Sequence, residues 1–411
     1  MRYTVWFGCL LAVLAFGGPA WAQGNIYLGN VHVMPSLEYE IEHNDNIFLD
    51  HRDEESDVLH TVTPGLQLEY QRGEGRYASL SYETDIVRYS DFGSNDYEEH
   101  RLQGELEYAS PSGWYARFED RFVDTEDPYS TINNFQLGVP RIKRWTNQGT
   151  LRLGYELPSR FSVHASYQSF IAQYDAFRDQ WRDRMDHVYE GRIMYRFWPK
   201  TSTFLMYRLS DINYPNQDDA DDNSLGIDSR TSQENLYHQV FAGLYFSPAA
   251  KLKGELKVGV GRKDYDNARN WQGVAYNDSW EPSIEVELNY LMSEKTEFDF
   301  TLLRSTYESV DVETSSYTRN AAYITWYQQL IGNFSLQAEI GYALEDYETR
   351  SGLSDRDDDI YELGGKITYA IRDWLKTSLG YRYVERDTSD DLYRNEEYEN
   401  NLFMWSIKAE L

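Results

Sequence analysis

From about residue 31 onward, apolar and polar residues alternate with period two in segments of roughly ten to fourteen residues, the pattern of strands with one apolar face. In the segment 280–291, Trp280, Pro282, Ile284, Val286, Leu288 and Tyr290 fall on one face, and Glu281, Ser283, Glu285, Glu287 and Asn289 on the other. The segment beginning at Phe334 repeats this, with Phe334, Leu336, Ala338, Ile340, Tyr342 and Leu344 opposed to Ser335, Gln337, Glu339, Gly341 and Glu345. Similar segments are read near 32–43, 58–70, 77–89, 99–109, 114–122, 144–157, 161–174, 187–198 and 202–213. Others follow near 236–246, 251–265, 296–307, 317–330, 359–371, 375–387 and 398–411, which makes eighteen strands in all. Helical periodicity is nearly absent.

The connections alternate between two kinds. Short turns hold Pro111-Ser112-Gly113, Pro158-Ser159-Arg160, Pro199-Lys200, Pro248-Ala249, Ser293-Glu294, Gly332-Asn333 and Asp373-Trp374, rich in residues that supply turn geometry. Longer polar loops lie near 45–57, 123–143, 175–186, 214–235, 266–279, 308–316, 348–358 and 388–397. A soluble sandwich also alternates along its strands, but it has no reason to sort its loops this way. An outer-membrane barrel does, with short periplasmic turns and long extracellular loops. The expected fold is therefore all-β: a transmembrane, antiparallel, up-and-down barrel of about eighteen strands over 31–411, in the bacterial outer membrane. An even strand number puts both termini in the periplasm. Tyr155, Tyr195 with Phe197, Tyr290, and Tyr381 with Tyr383 stand at strand ends, where interfacial girdles form. The last segment points Phe403, Trp405, Ile407, Ala409 and Leu411 to lipid and ends on the final residue, which suits recognition by barrel assembly machinery.

Composition narrows the reading further. The chain has 411 residues, a mean hydropathy of -0.68 and a net charge of -29. With 35 Tyr, 18 Phe and 11 Trp it is too aromatic for a disordered acidic chain. Beyond residue 22 no apolar run approaches the roughly 18 residues of a membrane-spanning helix. Nucleic acid is excluded as a partner, because phosphate binding draws on clustered Lys and Arg. Residues 1–22 read as a secretory signal: Arg2, an apolar core from Val5 to Phe16, and a cleavage site at Ala20-Trp21-Ala22. A short periplasmic tail, 23–30, would follow. Cys9, the one cysteine, leaves with the signal, so no disulfide or thiolate site is expected.

If the apolar faces meet lipid, the alternate residues line the lumen, with acids in excess over bases. The candidate pore-lining residues are Tyr115, Arg117, Arg121, Phe241, Tyr245, Glu285, Glu287, Tyr323, Tyr327 and Glu339. Rings of charge set which solutes pass a water-filled barrel. Inward aromatics beside acids and Arg suit the C–H faces and hydroxyls of a saccharide, although aromatics also fill barrel space. The acidic excess favours a neutral or amino-sugar polymer over a strongly anionic one. Acid-rich outer loops, such as Asp53-Glu54-Glu55 with Asp57, Asp218-Asp219 with Asp221-Asp222, Asp357-Asp358-Asp359, and Glu396-Glu397 with Glu399, are expected to be solvated. Divalent cations could bridge them to lipopolysaccharide phosphates. The run from Asp219 begins like a calcium loop, but Ser224 and Arg230 stand where Gly and an acid belong. His164-Ala165-Ser166 has the His-x-Ser spacing of outer-membrane lipid esterases, yet its phase turns both residues inward, away from a lipid ester. No phosphate loop, metal cluster or cofactor motif is found, and no enzymatic activity is expected.

The run Leu37-Glu38-Tyr39-Glu40-Ile41-Glu42-His43-Asn44-Asp45-Asn46-Ile47-Phe48, followed by Val62-Thr63-Pro64-Gly65-Leu66, resembles the family called Putative beta-barrel porin 2. Its members begin with a Tyr and an acid before a D-N-[IV]-F element, then a second strand starting T/S-P-G-L. The resemblance covers essentially the whole exported chain. It implies an outer-membrane barrel that takes part in exopolysaccharide export, with periplasmic polysaccharide export proteins as partners and a saccharide polymer as cargo. A general diffusion porin, and a barrel sheathing a periplasmic partner, remain the alternatives.

Overall fold

The computed structural model describes residues 26–73, 75–126, 142–216, 234–247, 250–265, 280–308, 316–347, 356–389 and 397–410. Its strands are β1 (Ile26–Leu28), β2 (Val31–Asn44), β3 (Asp57–Gln71), β4 (Arg76–Tyr89), β5 (Tyr97–Ala109), β6 (Trp114–Thr125) and β7 (Arg144–Glu156). There follow β8 (Phe161–Tyr174), β9 (Arg184–Trp198), β10 (Thr201–Asn213), β11 (Asn235–Phe246), β12 (Leu252–Tyr265) and β13 (Trp280–Ser293). The last are β14 (Thr296–Glu308), β15 (Ser316–Gln329), β16 (Phe334–Tyr347), β17 (Arg356–Arg372), β18 (Leu375–Thr388) and β19 (Tyr398–Glu410).

From β2 onward each strand pairs antiparallel with the next, and β19 returns to β2 in a register running from Leu402↔Asn44 to Glu410↔Ser36. The sheet is thus a closed barrel of eighteen strands, and closure removes every long edge. Below Ser36 the edge of β2 extends past the end of β19. There β1 folds back and pairs Leu28 with Val31 and Ile26 with Val33. Part of the segment read as a plain tail is therefore a strand, placed where backbone groups would otherwise lack partners.

The period-two alternation becomes two walls. On the outer wall, large apolar side chains stand in the open, with Leu205 66% and Leu379 64% exposed, beside Ile193 and Ile340. A contiguous apolar band of this kind is stable only against lipid. Rings bound it at the periplasmic side, with Trp114 packed on Tyr155, Phe161 on Tyr195, and Phe334 on Tyr369. At the extracellular side a device recurs that the sequence reading did not find. The hydroxyls of Tyr39, Tyr82, Tyr167 and Tyr207 lie 2.7–2.9 Å from Nδ1 of His60, His100, His187 and His238, each on the next strand. Asp359 takes the histidine's place beside Tyr342, and Asn401 beside Tyr381. Each ring keeps its apolar body in the band while its hydroxyl finds a partner at the wet edge.

Candidate functional site

The lumenal wall of β8–β13 is built on a buried apolar cluster of Met194, Phe204, Met206 and Phe241. Two guanidinium groups lie over it: Arg192 is 4.3 Å from the Phe204 ring centre and Arg208 is 5.3 Å from that of Phe241. Glycine permits this close layering. A Cβ at Gly259 would lie 2.1 Å from the Val240 carbonyl oxygen and 2.8 Å from the Phe241 ring. Above the cluster runs a chain of ion pairs. Arg208 bonds Glu190 and Glu285, each at 2.6 Å; Lys257 bonds Glu285 at 2.5 Å and Glu255 at 3.0 Å; Arg192 bonds Glu255 at 2.7 Å. These bonds reach from β9 to β12 and from β10 to β13, so they brace strands that share no backbone pairing. Removing one partner would strand the other with little water around it, which makes the lattice cooperative.

Over this wall lies a cavity of about 950 Å³ that runs to the periplasmic turns; Tyr115, Tyr245, Glu285 and Glu287 all line it. Tyr245 packs against the buried cluster and also lines the cavity. Phe241 must be corrected: its side chain is 0% exposed beneath Arg208 and offers no surface to a solute. A second cavity of about 580 Å³, on the wall of β14–β19, is lined by Tyr323 and Glu339 with Glu40, Glu362, Lys366 and Arg382. The Tyr323 hydroxyl accepts from Arg319 at 2.6 Å and donates to Glu362 at 3.3 Å. Tyr327 lines a third space of about 250 Å³ at the periplasmic side. Arg117 is held by Glu105 at 3.0 Å and Glu119 at 2.8 Å, whereas Arg121 is an exposed residue in the lumenal row between Gln103 and Gln148.

The extracellular mouth holds groups that the sequence reading placed elsewhere. Asp358, expected in a solvated acidic loop, is 0% exposed inside the barrel, bonded to Arg356 at 2.6 Å and Arg386 at 2.5 Å. The strand simply continues through the acidic run, and the two arginines supply its counter-charge. Asp359 faces outward to Tyr342. Asp57, expected in the same kind of loop, is 3% exposed at the start of β3 and accepts from the N–H groups of Asp91 and Phe92. The run at 218–222 and Glu396 lie outside the described residues, whereas Glu399 is exposed as expected. Near Asp358 an apolar patch of Ala321, Ala343, Ile360, Val384 and Tyr398 is covered by Leu49, which comes from the loop between β2 and β3. Leu49 has a φ of 55°, an uncommon conformation for a non-glycine residue. Ile47 of the same loop packs on Leu59 and Val87 at the opposite flank.

Asp45 and Asn46 anchor this loop. The Asp45 carboxylate accepts from the Asn401 backbone N–H and from its side-chain amide, both at 2.7 Å. Asn46 is 0% exposed; its amide donates to the carbonyls of Glu399 (2.9 Å) and Asp50 (2.8 Å), and its oxygen accepts from the Asp50 N–H at 3.0 Å. Asp50 in turn accepts from the N–H groups of Arg52 and Asp53, which hold its carboxyl below the ordinary range. The His-x-Ser pair is not joined: His164 Nε2 lies 3.1 Å from the Ser162 hydroxyl, while Ser166 donates to Glu190 at 2.9 Å. Among the described residues no group of three His, Cys, Asp or Glu is placed to hold a metal ion.

Several solved structures resemble the barrel at low identity. Pseudomonas aeruginosa OpdO is 10% identical, with a TM-score of 0.47 over 93% of this chain and 97% of its own. OccK2 (OpdF) of the same organism is 11% identical, with a TM-score of 0.48 over 92% of this chain and 98% of its own. OpdK, solved with vanillate, is 10% identical, with a TM-score of 0.47 over 92% and 99%. None of the curated proteins compared matches the sequence. The family described as Putative beta-barrel porin 2 matches over residues 19–411, and with the closed eighteen-strand barrel and its lipid-facing band this chain belongs to that family, as an outer-membrane, porin-like barrel.

Proposed function

We propose that this barrel passes an exopolysaccharide across the outer membrane, receiving the polymer from periplasmic and inner-membrane export components. The observation that carries the reading is the surface around Tyr245. A ring packed against the buried cluster of Met194, Phe204, Met206 and Phe241 lines a lumenal cavity that the Arg192–Glu255 pair also lines. A rigid aromatic face bordered by planar donors and acceptors matches a sugar, whose C–H faces pack on rings while its hydroxyls bond at the edge. Tyr115, on β6, lines the same cavity and offers a second ring. The family resemblance supports the same direction.

A second reading, a general diffusion porin for small solutes, is favoured by the lumenal ion pairs, which would order water and ions without needing a polymer. Deletion in the native organism separates the two. Cells without the barrel should stop surface display of polymer or retain it in the periplasm, and unchanged surface polysaccharide would overturn the export reading. Tyr115→Ala with Tyr245→Ala should slow secretion while the amount of folded barrel in the membrane stays the same.

A further inference from the structure

We infer that the periplasmic mouth of the larger cavity takes a carboxylate-bearing saccharide, so that the exported polymer contains uronic or other acidic sugars. This deepens the export reading and rests on it. Averaged over the lumen, charge points the other way, toward a neutral or amino-sugar cargo. The structure partitions that charge. The acids Glu190, Glu255 and Glu285 are each clamped by Arg192, Arg208 or Lys257 and present little free negative potential.

Toward the periplasmic turns of the same cavity the bases outnumber the acids. Arg160, Arg196 and Lys200 line it as exposed residues, against exposed Glu156 and Glu287. Arg160 and Lys200 stand on or beside the short turns that join β7 to β8 and β9 to β10, on the side from which an exported chain arrives. The pairing of Arg196 with Glu156 is long, at 3.4 Å, and both side chains are open to water, so it is weak and exchangeable. Farther in, on the row of Glu190, Arg152 shares the Glu119 carboxylate with Arg117. Guanidinium groups recognise carboxylates through two parallel N–H donors, which a sugar acid can accept and a hydroxyl cannot reproduce. Tyr245 and Tyr115 lie in the same cavity, so a sugar ring stacked on a tyrosine would have its carboxylate near these bases. The third space, on the opposite wall, is lined by two acids and two bases, Glu294 and Glu297 with Lys295 and Lys366.

The test is calorimetric titration of the full, folded barrel in detergent with three probes of equal length: hexagalacturonate, maltohexaose and the glucosamine hexamer. At about 50 mM salt hexagalacturonate should bind at least roughly tenfold tighter than maltohexaose, and the margin should shrink at about 300 mM. The triple variant Arg160→Gln, Arg196→Gln, Lys200→Gln should erase that margin and leave maltohexaose binding as it was. These side chains are exposed, and unchanged mobility of the unheated protein on a denaturing gel confirms the fold. Equal binding of acid and neutral probes, a preference for the glucosamine hexamer, or a margin that survives the triple substitution overturns the inference. Tyr245→Ala separates it from the reading beneath it. Loss of all three probes in Tyr245→Ala, with no acid preference in the parent, overturns the acidic-sugar inference alone. Binding of no probe to the parent overturns both.

Discussion

Removing the Asp45 carboxylate should open the barrel seam from its extracellular end. Backbone pairing between β19 and β2 covers nine residue pairs and stops at Leu402↔Asn44, although β19 begins four residues earlier at Tyr398. Beyond that point one backbone bond, from the Asp45 N–H to the Asn401 carbonyl at 3.3 Å, is joined by the side chains of Asp45 and Asn46. Asp45→Ala deletes two hydrogen bonds to a carboxylate, each about 1.5–3 kcal/mol where water is scarce. The site is half-buried and water reaches part of it, so the expected loss is about 2 kcal/mol. Asn46→Ala should cost more, about 3 kcal/mol, because it leaves the Glu399 and Asp50 carbonyls and the Asp50 N–H without their partner at a fully buried position. The assay is reversible urea unfolding in lipid vesicles followed by tryptophan fluorescence, with hydrogen exchange of the β19 amides as the local probe. Protection should fall first at 398–401 while the lower seam holds. A double-mutant cycle of Asp45→Ala with Asn401→Ala should return a coupling of about 1.5–3 kcal/mol. A coupling near zero, or exchange at 398–401 unchanged in Asp45→Ala, would refute the role assigned to this pair.

Three further outcomes are expected. Phe241→Ala, emptying a fully buried position under Arg208, should destabilise the barrel by about 3–5 kcal/mol in the same unfolding assay, and a loss below about 1 kcal/mol would mean the ring is not wall filling. Ser166→Ala should leave any ester hydrolysis of detergent-dispersed lipid by purified barrel unchanged, since this hydroxyl serves Glu190, and a clear drop would restore a catalytic role. Asp183, in the loop before β9, is raised above the usual carboxyl range by burial, against the bonds from the Tyr174 N–H and the Asn216 amide. An acid raised in the folded state favours its protonated form there, so local stability should fall as pH rises from about 4 through the raised value. Limited proteolysis of the 175–183 loop across that window should show this trend, and Asp183→Asn should flatten it; a trend of opposite sign, or one unaltered by the substitution, would contradict the burial argument.

Much of the barrel is legible because the solvent reads the chain twice. Lipid demands an apolar residue at every second position and water tolerates polar ones between, so the reading of 32–43 meets β2 at Val31–Asn44 and that of 280–291 meets β13 at Trp280–Ser293. The same logic fails where a strand leaves the bilayer. The run at 357–359 looks like a loop because three adjacent carboxylates give no alternation, yet β17 begins at Arg356. There the outer residue meets water and the inner one meets Arg356 and Arg386, so both faces accept an acid and the period vanishes. The tyrosine and histidine pairs hid for a related reason. Their partners lie on neighbouring strands two residues out of register, a spacing visible only once Tyr39↔Val62 and Ile41↔His60 are known.

Phase alone cannot say which inward residue a solute will meet. Phe241 and Tyr245 occupy the same row of β11, four residues apart, and their alternation is identical. What separates them is the reach of residues on other strands. Arg208 comes from β10 and passes over Phe241 to Glu285 on β13, covering the first ring; Arg192 lies over Phe204 and bonds Glu255, leaving part of the Tyr245 ring on the cavity. A lumenal side chain long enough to cross two neighbouring strands therefore decides exposure for residues with which it shares no sequence proximity. Covering and pairing are then one act, because the guanidinium that buries Phe241 also neutralises Glu285. The wall of β9–β13 consequently carries a charge-balanced lattice over a buried apolar cluster, with Arg160, Arg196 and Lys200 exposed nearer the periplasmic turns. Which charges are clamped across the wall, as Glu285 is by Arg208 and Lys257, and which stay open to water, as Arg121 does, is a property of closure that composition averages away.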